Sequence, residues 1–200
     1  MSSALQAIRI ALDDMLPNAV NVVLSIDFVG VANKREIAFS TGRSAAKQAL
    51  AGVGVEGFIV LKGDKGEPLW PDGIVGSISH TQGVCIASAS NADGLLGLGV
   101  DVEAQRVLRP DIQRVICREE ELSLHWHADT ELAKLILFSA KESLYKALYP
   151  SQQRFIGFKE VAVEFDGELG FVATLVDEGV VCSGACRVVD GFVVSVAWLK

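Results

Sequence analysis

Leu5, Ile8, Ala11, Leu12 and Met15 recur at the spacing of one helix face, so the N-terminal segment is expected to fold as an amphipathic helix packed on the domain. A second helical stretch runs through NKREIAFSTGRSAAKQAL, and a third starts near Asp129 and runs through AKESLYKAL at residues 140–148. Elsewhere the apolar period shortens to two. VGSISH, GVCIASAS and GLGVDVE form one set of alternating segments, and EVAVEFDG, GFVATLVD, CRVVDGF and VVSVAWL a second. Such alternation favours half-buried antiparallel strands over buried parallel ones.

The two sets have similar openings. The helix end GRSAAKQAL leads into GFIVLKG, read as a strand, and AKESLYKAL leads into RFIGFKE. A repeated unit explains this echo, and so does a chance match between two short helical segments. The expected fold is α+β, with two similar helix-plus-antiparallel-sheet halves, residues 1–103 and 104–200. The chain passes between them near residues 96–108, and a ligand is expected in the cleft they form.

Composition narrows the partners. Half of the 200 residues are hydrophobic, enough for a sizeable core. The net charge of −7 argues against a nucleic-acid binder, and any anionic ligand must meet a local cluster of Lys and Arg. Cys85, Cys117, Cys182 and Cys186 show neither zinc spacing nor a CxxC pair, which fits reduced thiols in the cytoplasm. The N-terminal segment lacks a basic leader and carries Asp13 and Asp14, unlike a signal peptide, and no apolar run is long enough to span a bilayer. A soluble, cytoplasmic protein is expected.

Four groups of residues could carry chemistry. In GVDVE, Asp101 and Glu103 lie two apart on a strand and share a face, while Val100 and Val102 point to the core. Two such carboxylates suit magnesium that also carries substrate phosphate oxygens; a solvated strand end with two unrelated acids is the other account. In FSAKESLYKAL, Glu142 and Lys146 share a helix face. They are either a surface ion pair or a third metal ligand and base with a phosphate-binding lysine. GSISHTQG places Ser79 and His80 near a strand end, where they could donate to a phosphate; adjacency in sequence rules them out as a hydrolase pair. Arg35, Arg43, Lys62 and Lys65 supply cations, the last two in a hairpin-like turn. His125 and His127 have no recognisable partner and are read as structural or surface residues. GVGVEG fits the GxGxxG pattern but follows a helix and precedes a strand, the reverse of the dinucleotide-binding order.

WPDGIVGSISHTQG, GVDVE and FSAKESLYKAL, in that order, resemble the signatures of the 4′-phosphopantetheinyl transferase superfamily, nearest to its enterobactin-synthetase component D-like branch. The resemblance runs from about Lys34 to Phe158. It implies a monomeric pseudo-dimer binding coenzyme A between its halves and transferring phosphopantetheine to a serine of an apo acyl or peptidyl carrier protein. It implies magnesium, or manganese in its place, on Asp101, Glu103 and Glu142. Arg35, Arg43, Lys62, Lys65, Ser79, His80 and Lys146 would bind coenzyme A, and Glu142, Lys146, Asp101 and His80 would serve catalysis. An acidic carrier would meet Arg106, Arg109, Arg114 and Arg118, of which Arg114 and Arg118 lie one turn apart if QRVLRPDIQRVICR is helical; a solvated face is the alternative. Neither nucleic acid nor a membrane is an expected partner. A magnesium-dependent nucleotide phosphohydrolase and a non-catalytic coenzyme A or carrier-binding module are the rival readings.

Overall fold

A computed structural model describes residues 3–17, 20–26, 34–81, 83–123 and 127–200. Helix α1 (Ser3–Met15) is followed by strand β1 (Val20–Ile26) and helix α2 (Lys34–Gly52). The short hairpin β2 (Leu61–Lys62) and β3 (Pro68–Leu69) leads to β4 (Val75–Thr81), β5 (Val84–Ser90) and β6 (Gly97–Ala104). Helices α3 (Pro110–Ile116) and α4 (Thr130–Gln152) come next, then β7 (Val161–Phe165), β8 (Gly170–Leu175), β9 (Val180–Val189) and β10 (Phe192–Leu199). The strands form antiparallel sheets in the orders β1-β5-β4 and β6-β10-β9-β8-β7, beside the β2-β3 hairpin. The fold is α+β, with a long helix on each main sheet, although the halves are unequal in strand number. Among the described residues no helix is long and apolar enough to cross a membrane.

Three cores follow from the alternation of side chains. Helix α2 packs Ala45, Ala46, Ala49 and Leu50 against Cys85, Ala87 and Ala89 of β5. Helix α4 packs Leu137, Ala140, Leu144 and Leu148 against Val193, Ala197 and Leu199 of β10 and its neighbours. Helix α1 buries the five residues of its expected face. They join Val22, Val84, Ile86, Val100, Val102, Val194 and Val196 in a cluster that draws on both main sheets. β5 and β6 are therefore buried on both faces, not half-buried as the alternation suggests. On β5 the alternate positions Cys85, Ala87 and Ala89 are small enough to be covered by α2, and on β6 Gly97 and Gly99 admit α4.

Other departures have local causes. GFIVLKG is mostly loop, since Gly57 takes φ 75° and Ile59 is exposed, leaving only Leu61 and Lys62 paired. RFIGFKE is also irregular, ending in the 3₁₀ turn Phe158–Glu160. CRVVDGF is not one strand: β9 stops at Val189, and Asp190 and Gly191, at φ 45° and 80°, turn the chain into β10. β1, absent from the sequence reading, pairs antiparallel with β5. The strand GLGVDVE, assigned from sequence to the N-terminal half, hydrogen-bonds to β10 in the larger sheet.

Two glycines let α4 sit directly on β6. A Cβ on Gly97 would lie 2.0 Å from the Ala147 carbonyl oxygen, and one on Gly99 would lie 1.7 Å from that of Ser143. Both obstacles are helix backbone and cannot rotate away. Gly99→Ala is expected to cost about 3 kcal/mol, the upper end of overpacking, read as a fall in the urea unfolding midpoint. Gly167→Ala, where an added Cβ meets nothing within 4 Å, should leave the midpoint unchanged.

Candidate active site

Gly97, Gly99, Asp101 and Glu103 share one face of β6, so the contact that admits α4 also brings the two acids beside Glu142 and Lys146. Asp101 is the centre of this cluster and is 3% exposed. Its Oδ1 accepts from Lys146 Nζ at 2.8 Å and from Ser79 Oγ at 2.8 Å, and its Oδ2 accepts from Ser139 Oγ at 2.9 Å. The Ser139 and Ser195 hydroxyls lie 2.8 Å apart, and Ser195 Oγ also donates to the Ser139 carbonyl at 2.7 Å. The sequence reading missed both serines. The available signal was a lone hydroxyl at Ser139 in an otherwise apolar helix stretch, LILFSA.

Lys146 does not pair with Glu142. Its ammonium turns to β6, where it donates to Asp101 and, at 3.0 Å, to the Val100 carbonyl. Glu142 makes no hydrogen bond with the described residues. Burial, above all, pushes its carboxyl above the usual range; Asp101 and Glu103 add to the rise and Lys146 opposes it. Glu103 is likewise raised mainly by burial, against the pull of its ion pair with Arg106. These three carboxylates feel one another's charge and supply only oxygen, the donor set of a hard divalent cation. Among the described residues no group of three or more His, Cys, Asp or Glu side chains converges closely enough to hold a metal by itself. The residues fit a cation that takes its remaining oxygens from a substrate.

Beside the cluster a cleft of about 280 Å³ runs between the halves. Lys65, Trp70 and Ser77 border it from one half, and Tyr145, Lys146 and Tyr149 from the other. Lys65 Nζ crosses to the Gln153 carbonyl at the end of α4, at 2.7 Å. Lys62 is exposed on the same hairpin. Arg43 lies over the Phe39 ring at 4.7 Å, and its buried Nε has no hydrogen-bond partner among the described residues. Burial lowers its pKa. Arg35 lies in α2, and its side chain is outside the described residues, as is His125. His127 sits at the start of α4, where its Nδ1 accepts from Asp129 N–H at 3.0 Å.

Two sequence expectations change here. Ser79 lies near the end of β4 as expected, but its proton goes to Asp101, while its oxygen accepts from Val102 N–H at 3.3 Å. His80 is its exposed neighbour on the other side of the strand. Arg118 is not one turn from Arg114 on a helix, because α3 ends at Ile116 and Arg118 folds back onto the Lys159 carbonyl at 2.7 Å. Arg106 and Arg109 are paired with Glu103 and Asp111. Of the four arginines, Arg114 alone makes no such contact with the described residues.

None of the four cysteines forms a disulfide and all are buried; burial pushes the Cys182 thiol up to about 12, so it offers no thiolate nucleophile. A lysine-backed acidic cluster lies beside a cleft with Lys65 on one wall and Lys146 on the other, an arrangement suited to an enzyme acting on a phosphate-bearing substrate. Family models narrow this class: that of the 4′-phosphopantetheinyl transferase N-terminal domain matches residues 30–90, and that of the 4′-phosphopantetheinyl transferase superfamily matches residues 97–197. The chain belongs to the 4′-phosphopantetheinyl transferase superfamily and is an enzyme of that class.

Among its relatives, the 4′-phosphopantetheinyl transferase PptT of Mycobacterium tuberculosis is 36% identical over 76% of this chain and 70% of its own length. The 4′-phosphopantetheinyl transferase Svp of Streptomyces mobaraensis is 34% identical over 80% of this chain and 66% of its own. Enterobactin synthase component D of Salmonella typhi is 39% identical over 57% of this chain and 48% of its own. The chain thus spans about two thirds of the first two relatives and about half of the third.

Proposed function

We propose that this chain transfers the 4′-phosphopantetheine arm of coenzyme A to a serine hydroxyl of an apo acyl or peptidyl carrier protein, giving the holo-carrier and 3′,5′-ADP. The observation that carries the reading is the grouping of Asp101 and Glu142 about Lys146, which lines a cleft whose other wall presents Lys65. Lys65, Lys62, Arg43, Arg35 and His80 bind the nucleotide phosphates. Ser79 acts at one remove, by holding Asp101.

Asp101, Glu103 and Glu142 would hold magnesium, or manganese in its place, which would offset charge on the pyrophosphate and on the leaving bisphosphate. In the transfer itself, the carrier serine oxygen forms a bond to the phosphorus bearing pantetheine, and the anhydride P–O bond to 3′,5′-ADP breaks. Glu142 takes the serine proton, a role favoured by a carboxyl without other hydrogen-bond partners. Lys146, one helix turn away and able to reach the cleft, neutralises the departing phosphate. Both walls of the cleft come from one chain, which supports a monomer, and buried cysteines without disulfides suit the cytoplasm. Residues 1–103 would chiefly grip coenzyme A, while residues 104–200 would supply the base, the lysine and the carrier-facing side. On that side Arg114 is the cation available to an acidic carrier. The enterobactin synthase relatives favour carriers of siderophore and other nonribosomal peptide assembly, ahead of polyketide carriers.

Intact-protein mass spectrometry of an apo peptidyl carrier incubated with the enzyme, coenzyme A and magnesium tests the proposal. The carrier is expected to gain one phosphopantetheine mass, and a chelator is expected to prevent the gain. Phosphate release without acceptor modification would instead favour the hydrolase. Coenzyme A binding with no turnover on peptidyl, polyketide or fatty-acid carriers would favour the binding module.

A further inference from the structure

One buried charge beside the catalytic cluster takes no part in the chemistry above. Lys141, the residue before Glu142, has 1% of its side chain exposed, and its partner Glu121 has 7%. All three ammonium protons are used, on Glu121 Oε2 at 2.6 Å, the Ile116 carbonyl at 3.0 Å and the Phe158 carbonyl at 2.9 Å. Glu121 extends the tie: Oε2 accepts from Arg118 N–H at 2.8 Å and Oε1 from Val163 N–H at 3.3 Å. One ion pair thus fastens the end of α3, the 3₁₀ turn Glu120–Ser123, the 3₁₀ turn Phe158–Glu160 and β7 to α4, at the residue next to Glu142.

Burying two charges is a poor route to stability, because an apolar pair of similar volume often does as well. Hydrogen bonds directed at three separate segments do fix relative position, which apolar contacts specify less sharply. Two things are fixed here. Glu142 lines a hollow of about 130 Å³ with Tyr145, Phe155, Phe158 and Val161, and Lys141 holds that wall by the Phe158 carbonyl. The same ammonium holds the last carbonyl of α3, the helix that carries Arg114. Neither Lys141 nor Glu121 lines the cleft containing Lys65 and Lys146.

We propose that Lys141 and Glu121 are a positioning pair that sets α3 and the hollow beside Glu142, so that the carrier's serine is presented to the base. The inference rests on the transferase reading. It separates carrier handling, which needs the pair, from coenzyme A binding, which does not.

The test is the double variant Lys141→Met/Glu121→Leu, which removes both charges and leaves neither unpaired. Thermal unfolding, coenzyme A binding by calorimetry and steady-state transfer to an apo carrier are measured against wild type. The melting temperature is expected at or above the wild-type value, and the coenzyme A Kd within about twofold of it. kcat/KM for the carrier is expected to fall at least tenfold, through both a higher carrier KM and a lower kcat. A merely structural pair would not produce this split. A folded double variant transferring within threefold of wild type overturns the proposal, as does one whose coenzyme A affinity falls in step with transfer. Should the double variant not fold, Glu121→Gln carries the test, with the same separation expected and the same results overturning it. An inactive wild type removes the transferase reading and this proposal with it, whereas an active one isolates the role of the pair.

Discussion

Asp101→Asn is expected to lower transfer by about 10³-fold and stability by about 1–3 kcal/mol in the same protein. The carboxylate serves three donors, Lys146, Ser79 and Ser139, while almost fully buried. An amide offers one oxygen and turns its two N–H protons toward groups that themselves donate. The Lys146 ammonium loses its counter-charge, and at least one serine hydroxyl loses its acceptor. The proposed metal loses a charged ligand at the same stroke. Turnover measured with saturating coenzyme A and magnesium, beside a urea unfolding curve, checks both halves of the expectation. Full activity in a destabilised protein would leave Asp101 a purely structural residue.

Glu142→Gln is expected to lower transfer by about 10²–10⁴-fold, the usual contribution of a general base, but with no loss of stability. Its carboxylate accepts no hydrogen bond from the described residues, and burial already disfavours its charge. The sign follows from proton binding. A carboxyl raised in the folded state holds its proton more tightly there than in the unfolded chain. Its contribution to stability is therefore present at low pH and is lost as the pH rises past the ordinary glutamate range. A neutral amide avoids that loss, so at neutral pH the Gln variant should unfold at the wild-type midpoint or above it. Lost turnover with a raised midpoint would mark Glu142 as a residue kept for function at the expense of stability. Near-normal turnover would remove it from the mechanism.

The helices and most strands were legible because their periods are strong. The face of α1 and the Asp129 start of α4 lie where the pattern puts them, the latter capped by the Asp129 side chain on Glu131 N–H and Leu132 N–H. Asp101, Glu103, Glu142 and Lys146 were legible as candidates through residue type and spacing. Their connections were not. An i, i+4 Glu-Lys pair reads as a salt bridge until a strand carboxylate lies close enough to compete, and only the glycine contact between β6 and α4 brings Asp101 that close. Ser79 similarly reads as a phosphate donor until tertiary packing supplies a nearer acceptor. The role of Lys141 was not legible, because nothing within its own helix announces Glu121, which lies before α4 in a separate turn. The signal for β1 was present, since Val20, Val22, Leu24 and Ile26 alternate with Asn21 and Ser25 in VNVVLSI, but its pairing with β5 across the intervening α2 was not legible.

β4 and β6 are edge strands of different sheets, and no backbone ladder joins them. Ser77 Oγ and Ser79 Oγ instead accept the Val100 and Val102 N–H groups at 3.0 and 3.3 Å. A hydroxyl on a rotatable side chain tolerates sliding that a fixed carbonyl would not. The seam between the two sheets is therefore made by side chains, whereas each sheet is held by its own backbone ladder. Ser79 is at once a fastener of that seam and a donor to Asp101. One hydroxyl thus joins the two sheets and holds the acid at the centre of the site.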